Sequence, residues 1–533
     1  MVRAQAPALE FESREKPDTT PASPVPLVDG KKLAAPVSGF DKLVIKGFRF
    51  VGARTIAPEV LATELASFID RELSTSDLHN AALRVARCYL RHGSMARVKV
   101  TAVSVAEGIA EIDIQELRIG VLRVELPSDS RVSRELVDRF VTGGLVSGEP
   151  VPLARLENDI ALLNGQPGIA AAVALDSGAK PDEVDVTVRV RDRPVLSGRF
   201  QVDNHGLREI GQDRLGLSLR ASNALGHAER FAIDLEKTAG SELLAPSFSI
   251  ALPRAGMRAG IDLTQARYQA KRAGAALELA GEFQRWKAFV RHRAWYVPGF
   301  ALNADYALLR TAYHDNSMFG ELRRRRISGA SVNLAGLARN DSAFTSFGVE
   351  LERGAADLSG NAADLAADAT SARIDGTFWR LRWRVGHQRP LGTGTLVLRA
   401  NGQWADRNLD GTHQFALGGV SAVRAYPTAE ALGDGGWIAG AEWRRSVSVE
   451  VDGRLFIDTG GVQRNAKPWA NQRNRYELGA IGAGLNWRLP ENFRFTADLA
   501  RQTGGNAGRN TDGTDSDGRN SRWRLWLALG REF

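Results

Sequence analysis

From Pro194 to the C-terminus, a stretch of about 340 residues, apolar side chains recur at every second position instead of every third or fourth. That period belongs to strands whose two faces meet different surroundings. "WRLRWRVG" sets Trp379, Leu381, Trp383 and Val385 against Arg380, Arg382 and Arg384. "TLVLRANGQW" places Leu396, Leu398, Ala400, Gly402 and Trp404 opposite Val397, Arg399, Asn401 and Gln403. "FRFTADL" and the terminal "WRLWLALGREF" repeat the pattern, the latter with Trp523, Leu525, Leu527, Leu529 and Phe533 in one register. A soluble sandwich would bury the apolar face against a second sheet. A transmembrane barrel would turn it to lipid and line a wet interior with the polar face. The region is too long for one sandwich. Its Trp and Phe gather at segment ends, where an interfacial girdle sits. Arginines on the second face would need partners in a soluble core. These features point to a barrel, and the lack of any run of 18 apolar residues fits one, since a barrel hides its apolar positions at every second residue.

Ahead of the alternating region the texture is different. Residues 1–40 are rich in Pro, Ala and Ser and read as a tail or linker, with room for a short helix. Residues 41–117 then give strand, helix, helix, strand, strand. "LVIKGFRFVG" is extended, "APEVLATELASFID" starts a helix near Pro58, and "STSDLHNAALRVARCYLRHG" runs from Ser/Thr/Asp caps to Gly93. Leu78, Ala82, Val85 and Tyr89 share one face of that helix. Residues 118–193 repeat the order, ending in "EVDVTVRVRD". Two tandem α+β modules, each small enough to need support from a neighbour, therefore precede the barrel at 194–533.

Composition closes off other classes. A single cysteine, Cys88, excludes an internal disulfide and multi-cysteine metal sites, and its helical surroundings suit packing. The eight histidines are scattered, with no His-Glu-x-x-His, phosphate loop or nucleophile elbow, so no enzyme, metal or cofactor is expected. A net charge of +8 selects no partner, and nucleic acid is not expected. The first residues carry no apolar h-region. That fits either a cytoplasmic protein or a mature chain whose leader has been removed.

One stretch resists the strand pattern: "LGGVSAVRAYPTAEALGDGGW", Leu417 to Trp437, with Arg424 as its lone cation and Tyr426 close behind. Here the chain resembles the outer-membrane transporters of two-partner secretion, within the larger Omp85 group and of the haemolysin-activator type. Three stretches over residues 43–533 carry the resemblance. "LARLENDIALLNGQPGI" is similar to a helix and turn of the family's second POTRA module, through Leu162, Leu163, Asn164, Pro167 and Gly168. "VDNHGLREIGQDRLGLSLRASNALGHAERF" is similar to the entry into the first barrel strands. "VRAYP" and "FIDTGG" resemble the family's Arg-Gly-Tyr/Phe loop motif and its Phe-x-Asp-x-Gly strand motif.

The resemblance implies two POTRA modules and a 16-stranded antiparallel transmembrane β-barrel. It implies a loop at about 412–437 folded into the barrel, and an N-terminal segment able to plug the pore. It points to Arg424 and Tyr426 on the loop meeting Phe456, Asp458 and Gly460 on the wall. Gly418, Gly419, Gly433 and Gly435 shape the loop, and Phe533 serves as a barrel-assembly signal. An Arg424–Asp458 pair that locks the loop predicts that charge reversal at both positions restores the secretion lost by either alone. The alternative is an arginine exposed on an outer loop. Inward Arg380, Arg382, Arg384 and Arg399 either make the lumen electropositive or pair with inward carboxylates.

The implied partners are a β-helical secreted exoprotein, outer-membrane lipid and, during biogenesis, the barrel-assembly machinery and periplasmic chaperones. The protein is expected to be a monomer in the Gram-negative outer membrane, with its modules in the periplasm, translocating an unfolded client without ATP. An Omp85-type insertase, a passive porin and a soluble binding protein remain the rivals. Two departures stand out: Ala425 occupies the family's Gly position, and Ser94 and Met95 follow Gly93 where an aromatic is usual. If position 425 needs a positive φ, alanine costs about 1 kcal/mol.

Overall fold

The computed structural model describes residues 42–533 except 255, 298, 341 and 472. The tail at 1–40 and any plug helix within it lie outside the described residues.

The first module is a three-stranded sheet of Gly47–Val51, Ile109–Glu116 and Ala96–Ser104, in that spatial order. Its outer strands run parallel and antiparallel to the central one. Helices Pro58–Leu65 and Thr75–Arg91 cover one face. The second helix starts where Ser74 and Asp77 form a reciprocal capping box, and Gly93, at φ +74°, ends it. Leu43–Ile45, the start of the stretch read as extended, pairs with Arg71–Leu73, a strand the sequence does not signal because three residues carry almost no period. The second module repeats the plan with Arg118–Glu125, Glu183–Asp192 and Ile169–Ser177 and two helices, Arg134–Phe140 and Leu153–Asn164. One apolar core runs through both modules, from Tyr89 and Met95 through Leu117 and Val151 to Leu156. Cys88 is buried within it.

Sixteen antiparallel strands then close a barrel, from Leu196–Asp203 to Trp523–Glu532. Strand parity sorts the side chains as the alternation demands. Leu308 is 67% exposed, Leu455 58%, Ile457 54% and Ile481 52%, all on the outer face. A belt of that size would drive aggregation in water and is stable against lipid. The first strand leaves the modules, so odd-numbered strands run away from them and even-numbered strands return. The sixth to eighth strands, Ala280–Val297, Phe300–Ser317 and Gly320–Arg339, reach 18, 18 and 20 residues. On the seventh, outward positions are apolar from Phe300 to Leu308 and, apart from the small Ala312, polar from Arg310 onward. These strands therefore rise out of the hydrocarbon at the end far from the modules.

The barrel closes through five registered pairs, from Ala528↔Asp203 to Glu532↔Arg199. The first and second strands share eight. Phe533 and Gly198 lengthen the seam by exchanging two backbone hydrogen bonds, at 2.7 and 3.0 Å. Asn204 extends its other end, bonding Leu525 and Leu527.

Candidate functional site

The long connection between the eleventh strand (Gly394–Ala405) and the twelfth (Gly435–Ser446) folds back into the barrel. A small ribbon, Phe415–Leu417 paired with Ala431–Gly433, forms its neck. The loop therefore ends at residue 434, not 437, because Gly435–Trp437 already belong to the wall and Trp437 faces outward. Gly418 and Gly419 turn the chain at φ +102° and +108°, and a Cβ at Gly418 would lie 2.5 Å from the Pro427 carbonyl. Gly433 has a close neighbour too, the Gln463 carbonyl, whereas Gly435 makes only ordinary contacts. On either side of this turn, Leu417, Val423, Ala425 and Tyr426 are fully buried against wall residues Phe456, Leu478, Ala480 and Ala500. Gly460 leaves the space that Leu417 enters.

Arg424 is 4% exposed at the centre of this packing, so it is no surface arginine. Its Nε donates to Asp458 Oδ2 at 2.7 Å and its Nη2 to Oδ1 at 2.9 Å, a two-pronged clamp on a carboxylate that is 1% exposed. Its Nη1 donates to Glu442 at 2.9 Å, and its guanidinium carbon lies 3.3 Å from the centre of the Phe456 ring. Arg399, on the eleventh strand, donates to the same Asp458 at 2.9 Å and to the loop carbonyl of Ala422 at 3.0 Å. The pair is thus one link in a chain, Arg399–Asp458–Arg424–Glu442–Arg444, in which every buried charge has a partner. This chain undoes the double-reversal expectation. Arg424→Asp with Asp458→Arg would set the new guanidinium against Arg399 and the new carboxylate against Glu442.

Ala425 avoids the left-handed region, so its side chain brings no backbone strain; the non-glycine residue of this loop with positive φ is Ala429, at 55°. The carbonyls of Arg424 and Ala425 accept from Trp526 Nε1 at 2.7 Å and Gln502 Nε2 at 3.4 Å. Thr428 donates to the His205 carbonyl at 2.8 Å. Glu430 accepts from Ser516 N at 2.8 Å and from Asn506. Burial raises its carboxyl to about 7. The loop therefore touches both sides of the barrel seam.

A second buried set was not anticipated. Arg325, on the eighth strand, grips Asp364 through two bonds of 2.6 Å and Asp410 at 2.8 Å. Asp364 sits on a short helix, Ala362–Ala369, in the connection after the ninth strand. One wall arginine so holds two far-end loops. Arg380 pairs with Glu352 and donates to the His413 carbonyl at 3.1 Å. With Arg382 on Glu350 and Arg399 on Asp458, three of the four inward arginines considered have carboxylate partners. The lumen there is lined mostly by ion pairs, and among the described residues Arg384 is the one of the four with no carboxylate in salt-bridge reach.

Trp526, Glu442 and Asp410 escaped sequence reasoning. Trp526 was within reach: on a strand whose odd positions face lipid, an even-numbered tryptophan must point inward. Phe533, 56% exposed, stays at the seam far from the loop, where its ring packs over Gly198.

A closed sixteen-stranded barrel with a lipid-facing belt, an inward-folded loop and α+β modules ahead of it defines an outer-membrane transport barrel. The chain belongs to the haemolysin secretion/activation protein family ShlB/FhaC/HecB, whose model matches residues 182–489. It is 22% identical over 494 residues to the heme/hemopexin transporter protein HuxB of Haemophilus influenzae (strain 86-028NP), covering 90% of this chain and 85% of that one. It is 21% identical over 403 residues to the outer membrane transporter CdiB of Dickeya dadantii (strain 3937), covering 72% and 68%. Among solved structures, CdiB from Escherichia coli superposes with a TM-score of 0.68 at 16% identity over 95% of both chains, a likeness of fold. The protein is a two-partner secretion transporter of the outer membrane. Its family is one of transporters, not an enzyme class.

Proposed function

We propose that the modules receive an unfolded exoprotein in the periplasm and pass it through the barrel lumen without nucleotide, and that the loop held by Arg424 must yield for passage. The observation that carries this reading is the loop itself: an element that is no part of the closed wall folds into the barrel interior and is pinned there by a buried charge chain centred on Arg424. Strands Ala96–Ser104 and Ile169–Ser177 lie at sheet edges, where an extended client segment can add as a further strand. Folding outside the cell gives the transfer its direction, because anything that removes the unfolded chain pulls the equilibrium. The client is a β-helical exoprotein, the working unit is a monomer, and the exposed Phe533 ring at the seam is offered to the assembly machinery. The test places the purified full chain in lipid vesicles with its modules outward and adds unfolded exoprotein without nucleotide. Protease-protected exoprotein inside supports the proposal; uptake only on adding ATP overturns it.

The insertase reading keeps one supporting observation, the five-pair seam beside an eight-pair neighbour. Val202 and Leu529 face each other across it. Val202→Cys with Leu529→Cys, in a Cys88→Ser background, would close the seam covalently. Secretion that survives oxidation favours the lumen, and secretion that stops only on oxidation favours seam opening.

A further inference from the structure

We infer that the outer wall of the seventh to ninth strands carries a binding site for the phosphate-bearing headgroup of a membrane lipid, centred on Arg310 and Arg353. Arg310 lies on the seventh strand, and Arg353 on the ninth, Phe344–Asp357. Both are outward and exposed. Two rungs on the eighth strand separate them. Arg310 pairs in register with Ser328, and Arg353 with Ala330. From strand spacing and rise, their Cα atoms are about 12 Å apart, within the span of two arginine side chains. The floor between them is small: a hydroxyl at Ser328 and a methyl at Ala330. Trp286 stands beside Arg310 and Trp379 beside Arg353, in register on the neighbouring strands. The Arg353 guanidinium stacks 5.5 Å from the Trp379 ring.

Three observations fix the occupant as lipid. The outward residues below the site are apolar, Leu308, Val332, Leu351 and Val349, so the site sits at the top edge of the hydrocarbon belt. Exposed tryptophans mark the same height, 56% for Trp286 and 41% for Trp379. Among the described residues, neither Arg310 nor Arg353 has a carboxylate within salt-bridge reach, whereas nearby Arg326 is met by Asp357 at 3.5 Å and Arg324 by Glu321 at 2.6 Å. Two unpaired guanidiniums at the headgroup level are matched by anionic phosphate, which accepts paired N–H donors. Such a contact would hold the barrel's height and tilt in the membrane on the side of its longest strands.

The test uses the full chain in detergent, titrated with bisphosphorylated lipid A or with the same lipid stripped of its phosphates, and bound lipid is counted by native mass spectrometry. Arg310→Gln with Arg353→Gln is expected to weaken binding of the phosphorylated lipid by about fivefold per arginine. Arg267→Gln, an exposed arginine two strands away already met by Glu282 at 3.0 Å, should leave it unchanged. Arg310→Lys with Arg353→Lys keeps the charge without the fork and should fall between. Heat-modifiable migration on gels checks that each variant is folded. Equal binding by the folded glutamine variant, or by the dephosphorylated lipid, overturns the proposal, as does full displacement by millimolar inorganic phosphate, which would make the site a general anion site.

Discussion

Arg424→Ala is the sharpest probe of the loop's attachment. It removes two bonds to Asp458, at 2.7 and 2.9 Å, one to Glu442 and the stack on Phe456. Breaking a buried pair costs about 3–5 kcal/mol, mostly because the remaining charge is stranded. Here neither carboxylate is stranded completely: Asp458 keeps Arg399 at 2.9 Å and Glu442 keeps Arg444 at 2.5 Å. The cost therefore falls at the low end, about 3 kcal/mol, which is roughly a 150-fold shift toward the detached loop. The barrel ladder is untouched, so the wall should remain folded. Hydrogen exchange of residues 418–430 in the detergent-solubilised full chain reads the loop directly, and proteolysis at the same residues checks it. Arg424→Lys keeps the charge but loses the two-pronged geometry and should give an intermediate rate. Exchange in a folded Arg424→Ala protein that stays within about threefold of the parent would mean that Arg424 does not hold the loop, since the weakest pair of this class predicts far more.

Two further outcomes follow from the carboxylates. Glu430, raised by burial to about 7, prefers its neutral form in the docked loop. Docking should therefore be strongest in mild acid, weaken as pH climbs from the ordinary carboxylate range through 7, and level off above; exchange rates across that range measure it, and Glu430→Gln should flatten the profile. In the first module, Glu116 accepts from Arg54 N at 2.8 Å, Thr55 N at 2.6 Å and Tyr89 Oη at 3.0 Å. Burial pushes its carboxyl up, but the hydrogen bonds from Thr55 and Arg54 outweigh that and hold it below the usual value. Glu116→Ala should loosen residues 53–57 by about 1–3 kcal/mol in hydrogen exchange. In the parent protein the same loosening should appear as pH falls through the carboxylate range.

The barrel's two faces could be read residue by residue, because a period of two carries over directly from sequence to wall: Trp379, Leu398 and Leu525 all face outward. The modules could be read through their caps, Ser74 and Gly93, and their helical stripes. Strand number and the meeting of Arg424 with Asp458 came from resemblance, since register between strands leaves no mark on a single strand's pattern. For the same reason Arg399 and Glu442, on two different strands, could not be assigned to Arg424's surroundings. The Arg325 clamp depends on two loops folding onto one residue from 39 and 85 positions away, which no local period encodes. At Ala425 a motif position suggested a backbone strain that the chain does not have.

In the proposed mechanism the exoprotein travels inside the barrel, past the loop. Photo-crosslinking amino acids can be placed at inward Gln403 and Arg382 and at outward Leu398 and Leu455, with secretion of the exoprotein arrested midway. Passage through the lumen predicts adducts between the arrested exoprotein and both inward positions, and none at the outward pair. Adducts confined to the outward positions, or to the seam beside Val202 and Leu529, would contradict it.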